Sequence, residues 1–181
     1  MVKLSFNPDS LNEHDKAIYE QMVAKRKSQG APFGGPYNVL MNHPELCQKV
    51  EALGYYLKFE GHLPRDVYQF VVLAVARETH SAFEWSDHIE HAREAGLPQD
   101  VIDKLKNQGI SNNSLSTPYQ LVAELLLATL NWKNIPEKTQ EDVIKLFGIE
   151  GLIEIVVLSG FYQMFSAINQ GFDISPSTVN P

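Results

Sequence analysis

Val67-Tyr-Gln-Phe-Val-Val-Leu-Ala-Val-Ala-Arg77 is the stretch on which the fold turns. Val67, Phe70, Val71, Ala74 and Val75 recur at helical intervals, and Val72, Leu73 and Ala76 fill the opposite face. A helix apolar nearly all round is stable only where other helices wrap it, so this one is expected at the centre of a helical bundle. Outward from it, every neighbouring pattern is also helical. Trp85, Ile89 and Ala92 form one stripe that stops at Gly96, and Val101, Ile102 and Leu105 form another between Pro98 and Gly109. Residues 110–118, rich in Ser, Asn and Thr, read as the longest internal loop. Residues 119–132, 136–147 and 149–171 carry three more helical patterns, each opened or closed by proline or glycine. Upstream, Ser10 and Glu13 form a capping box that opens a helix running to about residue 29, and Pro44 opens another to Phe59. The Gly/Pro run of residues 30–36 is read as a turn rather than a pocket border. Tyr68-Gln-Phe-Val71 recurs as Tyr119-Gln-Leu-Val122, and Val101-Ile102 as Val143-Ile144, which suggests a two-fold helical repeat.

The chain has 181 residues, 44% apolar and 20% charged, so one soluble globular domain that buries about 70% of its unfolded surface is the default. Residues 1–29 form an N-terminal helix packed on a compact domain of residues 30–172, and 173–181 a C-terminal arm or disordered tail. Fifteen basic against twenty-two acidic side chains, with no basic run longer than Lys25-Arg26-Lys27, argue against nucleic acid and anionic membranes as partners. A single cysteine, Cys47, excludes an internal disulfide and a Cys-x-x-Cys redox pair. No apolar leader is read at the N-terminus, so a cytoplasmic location is expected. The most apolar stretch, residues 151–168, is interrupted by Glu154, Ser159, Gln163 and Ser166 and reads as a core helix, not a membrane span.

Chemistry-bearing side chains crowd into residues 77–91, which hold three of the six histidines. On a continuous helix Ser81, Glu84, His88 and His91 share one face, with Arg77 in line. Glu84 and His88, four apart, can hydrogen-bond, and a carboxylate raises the pKa of a neighbouring imidazole. Ser81 to Glu84 is also a capping box, and a Glu–His pair at this spacing is a common surface stabiliser. A metal held by His80, Glu84, His88 and His91 is a third reading, although the His-Glu-x-x-His order of zinc hydrolases is absent. Tyr37, His62 and Tyr162 are candidates to approach from other elements. No nucleophile elbow, phosphate-cradling loop or dinucleotide fingerprint is present. Cys47 lies within an apolar helical pattern and is assigned no role.

At Gln69-Phe-Val-Val-Leu-Ala-Val-Ala-Arg77, Phe83-Glu-Trp-Ser-Asp-His88 and Ala92-Arg-Glu-Ala-Gly-Leu97 the chain resembles the carboxymuconolactone decarboxylase family, which also contains the AhpD-like alkyl hydroperoxidases. Pro36 to Glu45 and Phe147 to Tyr162 are similar to that family's opening segment and closing helix, so the resemblance covers roughly residues 30–170. It implies an all-α AhpD-like fold of about seven or eight helices and a homo-oligomer, trimer or hexamer. Where the peroxidase branch has Glu, Cys-x-x-Cys and His, this chain has Gln69, Ser81, Glu84 and His88, so only the histidine remains. A hydroxyl and a carboxylate cannot form the disulfide through which such an enzyme reduces peroxides. The resemblance therefore implies a lyase, a decarboxylase or an isomerase that acts on a small carboxylated or carbonyl compound without cofactor or metal. Glu84, His88 and Ser81 are its catalytic candidates, and Arg77, Gln69, Tyr37, His91 and Trp85 its substrate-binding ones. The alternatives are a peroxide-detoxifying protein working through Cys47, and a non-catalytic small-molecule-binding or assembly protein.

Overall fold

Residues 67–76 are all buried, ten in succession, so the helix that carries them, α4 (Arg65–Glu78), has neighbours on every side. The structure, a computed structural model, describes residues 4, 6–28, 34–111 and 114–176. The expectations for a leader, the Gly/Pro run, the 110–118 loop and the tail fall partly outside these residues. The other helices are α1 (Glu13–Ser28), α2 (Pro36–Leu40), α3 (Pro44–Tyr55), α5 (Ala82–Glu94), α6 (Gln99–Gln108), α7 (Tyr119–Leu130) and α8 (Glu137–Gly171), with no strand among the described residues; α5 to α8 pack on α4, while α1 and α2 pack on α3. The all-α expectation holds. α5, α7 and α8 pack most extensively on α4, and Met41, Phe70, Leu125, Ile155 and Leu158 fill the space between them.

Two breaks position the site. α8 is interrupted at Gly148, whose φ of 73° and ψ of 175° no helix contains, so residues 137–147 and 149–171 are separate limbs, as the sequence pattern predicts. The second break lies between α4 and α5. Ser81 N–H bonds to Ala76 O and His80 N–H to Arg77 O, with His80 at φ 56°, which is the Schellman arrangement with histidine where glycine is usual. The helix is therefore not continuous from Arg77 to His91. This corrects the alignment of Arg77 with the polar ridge: its Nε donates to Lys106 O at 3.0 Å, on α6. His80 is exposed on the turn and is not among the residues that line the cavity shared by Glu84 and His88.

Two smaller corrections concern caps. Asn12, not Ser10, caps α1: its Oδ1 accepts from Asp15 N–H at 2.9 Å, while the Ser10 hydroxyl donates to Asn7 O inside a short 3-10 turn. Ser81 occupies the N-cap of α5 but its side chain makes no capping bond, and the Glu84 carboxyl that would complete the box is bound by Asn169 instead. α3 runs on into a single π-helical turn, Tyr56–Glu60, closed by Gly61 N–H to Tyr56 O at 2.9 Å. The extra residue per turn buries Leu57 and places Lys58 against the inside of the bundle.

Candidate functional site

A cavity of about 240 Å³ lies between α5, the second limb of α8, the start of α2 and the π turn. Glu84, Asp87, His88 and His91 of α5 form one wall, at the three- and four-residue spacing that keeps side chains on one helix face. Tyr162, Phe161 and Phe165 of α8 form the facing wall, with Tyr68 of α4 behind. Gly34, Gly35, Pro36 and Tyr37 close one end, which corrects the reading of this run as a mere turn. Gly35 is at φ 59°, and a Cβ there would lie 2.6 Å from the Phe83 ring, so backbone and ring touch at this edge. Arg26 of α1 and Lys58 of the π turn bring positive charge to the cavity.

Glu84 and His88 are both buried, at 4% and 5% exposure, yet they do not hydrogen-bond to each other: Glu84 Oε2 is 3.9 Å from His88 Nε2. Each is held from elsewhere. Asn169 Nδ2 donates to Glu84 Oε1 at 2.6 Å. His88 Nδ1 meets Gln69 Oε1 at 2.9 Å, and Nε2 meets the Tyr162 hydroxyl at 3.1 Å, which in turn meets the Tyr68 hydroxyl at 2.9 Å. With the amide oxygen of Gln69 as acceptor, Nδ1 carries the proton and Nε2 accepts from Tyr162, so the tautomer is set from both sides.

The electrostatics reverse the expectation that Glu84 raises the pKa of His88. Burial, reinforced by the positive charges of Lys58, His91 and Arg65, pushes His88 down to about 3, so the imidazole is neutral. Burial pushes Glu84 up to about 7 against the Asn169 hydrogen bond, with Asp87 adding to the rise. Burial likewise holds the Tyr162 phenol well above its ordinary value. The proton that moves near neutrality therefore belongs to the carboxyl, not to the imidazole.

The remaining candidates divide. Tyr37 and His91 line the cavity. Gln69 is fully buried and holds His88 without reaching the wall. Ser81 is 2% exposed, its hydroxyl makes no hydrogen bond among the described residues, and it is not in the wall. Trp85 packs on the core beside the site. His62 does not approach: it binds Glu154. No three His, Cys, Asp or Glu side chains among the described residues are grouped to hold a metal ion. Sequence reasoning missed Asn169, Tyr68, Arg26 and Lys58. One signal was available: Ser159, Tyr162, Ser166 and Asn169 form a polar stripe at helical spacing along an otherwise apolar helix, and all four are buried. Cys47 is fully buried and its thiol is pushed up to about 12 by that burial, so it is neither reachable nor ionised at neutral pH.

No family model matches the chain, and no curated protein does. Its fold matches the crystal structure of an Agrobacterium tumefaciens protein of unknown function for which an AhpD antioxidant-defence role has been suggested. The TM-score is 0.64 and the identity 19%, over 78% of this chain and 97% of that one. The arrangement is thus the AhpD-like helical fold, and at this identity the likeness extends to fold alone.

Proposed function

We propose that the cavity carries out acid/base chemistry at carbon on a small carboxylated or carbonyl compound, as a decarboxylase, related lyase or isomerase that uses no cofactor. The observation behind this reading is the Glu84 carboxyl, buried in a cavity wall and poised to exchange a proton near neutrality beside an imidazole kept neutral. In the decarboxylating version the carbon–carboxylate bond breaks and its electron pair passes into the conjugated carbonyl. Glu84 delivers a proton to that carbon and recovers one from solvent. Arg26 supplies the positive charge that orients a substrate carboxylate, the part expected of Arg77. His88 is a positioning residue, since both ring nitrogens are engaged by Gln69 and Tyr162.

The antioxidant role suggested for the Agrobacterium protein is not the reading favoured here, because thiol peroxidase chemistry needs an accessible thiolate and Cys47 is neither exposed nor acidic. Exposed Ile149, Ile153, Val156 and Val157 on α8 and Leu46 and Leu53 on α3 support the proposal that copies of the chain associate through this face. A panel of lactone, β-keto and conjugated carboxylic acids, assayed for carbon dioxide release, tests the function. With the protonated carboxyl as acid, kcat/KM is expected to fall as pH rises through about 7. A rate that instead climbs through that pH, or dithiol-driven peroxide reduction, overturns it.

A further inference from the structure

Lys58 has no role in that mechanism, and its surroundings are unusual for a lysine. Lys25, on the same side of the molecule, pairs with Glu51 at 3.0 Å. Lys58 makes no ion pair and its ammonium no hydrogen bond among the described residues, although it is half-buried in the wall of the cavity. The π turn fixes its placement, because Arg65 Nη1 donates to Lys58 O and holds the turn from outside. Its ammonium nitrogen lies 5.5 Å from the centre of the Phe59 ring.

The geometry points to Lys58 as an imine-forming nucleophile, which makes the substrate class ketone- or aldehyde-bearing acids. A desolvated lysine beside other cations is the usual form of such an amine. Consistently, burial lowers the pKa of Lys58, and Arg65 and Arg26 lower it further against Asp87. The neutral amine adds to the substrate carbonyl carbon, the C=O π pair moves to oxygen, and the Glu84 carboxyl protonates that oxygen to a hydroxyl. The resulting carboxylate takes up one nitrogen proton and passes it to the hydroxyl, so water leaves as the nitrogen lone pair forms the C=N bond of a protonated imine, with Glu84 left as carboxylate. No oxidant or reductant is consumed. That imine is the electron sink into which a β-carboxylate can be lost.

This inference rests on the acid/base reading for the fate of the imine, but its test does not. The purified 181-residue chain is incubated with pyruvate or acetoacetate and sodium cyanoborohydride, which fixes an imine as a secondary amine, and its peptides are mapped by mass. Lys58 is expected to carry the adduct about tenfold faster than Lys27, Lys49 or Lys106. Lys58→Arg and Lys58→Met, both checked for retained helicity, are expected to lose it, while Glu84→Gln slows it without moving it to another lysine. Adducts spread evenly over the lysines, adducts unchanged in Lys58→Arg, or none with either probe overturn the inference. Because labelling needs no turnover, it can fail while the pH dependence assigned to Glu84 stands, and the reverse also holds.

Discussion

Glu84 on α5 and Glu154 on α8 are both buried carboxylates, exposed to 4% and 7%, yet they are built for opposite purposes. Glu154 accepts hydrogen bonds from the backbone amides of His62 and Leu63 and from the His62 imidazole at 2.8–3.3 Å, so its oxygens are surrounded by donors. Through it, the second limb of α8 clamps the loop that leads into α4. Glu84 has one donor, Asn169, and a cavity on its other side. Burial with few donors favours the neutral carboxyl at Glu84, while the oxygens of Glu154 are used up in holding the loop. The number of donors, rather than the depth of burial, separates the proton-exchanging carboxyl from the structural one.

The sharpest way to break that comparison is to exchange each carboxyl for its amide. Glu84→Gln is expected to lower kcat/KM about 10²–10⁴-fold on any substrate of the panel that is turned over, with Glu154→Gln leaving the pH profile in place. Equal losses in both variants would erase the distinction.

Next in size is a stability effect with a definite sign. Glu84 titrates at about 7 in the folded chain against an ordinary 4.5, so the folded state binds more protons in that window and stability falls as pH rises through it. His88 titrates at about 3 against an ordinary 6.5, so the unfolded chain binds more protons there and stability rises with pH. Between pH 4.5 and 6.5 the two slopes oppose each other. In Glu84→Gln the slope from His88 is uncovered, and urea midpoints are expected to report a gain of up to about 1.4 kcal/mol per pH unit over that range. A variant as flat as the wild type would count against the assigned protonation states.

Glu154→Ala comes third. It leaves the amides of His62 and Leu63 without their acceptor, and a loss of about 2 kcal/mol in urea unfolding is expected. The smallest effect belongs to His62→Gln. The Glu154 carboxylate raises the pKa of His62, so the protonated imidazole stabilises the folded chain below its ordinary value of 6.5. That contribution is lost as pH rises through the raised value. The wild-type and variant urea midpoints are therefore expected to differ at pH 5.5 and to converge well above neutrality, by little because the imidazole is exposed and screened.

Where the sequence misled, a helix boundary or a distant partner was responsible. Arg77 was aligned with the ridge because a Schellman turn with histidine in the left-handed position carries no glycine to announce it. Ser81 and Glu84 looked like a capping box because spacing does not say which way a carboxylate points. Arg26 sits in a basic triplet that carries no sign of which member faces a cavity, and Lys58 in a turn whose π geometry leaves no pattern of its own. The stripe from Ser159 to Asn169 is legible in the helical spacing, though apolar neighbours surround it.

What the sequence by itself determined is the all-α class, the central place of the Val67 to Ala76 segment and the grouping of Glu84, His88 and His91 on one helix face. All three follow from the 3.6-residue period and apolar burial, which are local properties of the chain. Only the tertiary structure decided the protonation of Glu84 and His88 and which cations reach the cavity. Those depend on how far water is excluded and on hydrogen-bond partners 19 to 85 residues away along the chain, Gln69, Tyr162 and Asn169, whose proximity no spacing encodes.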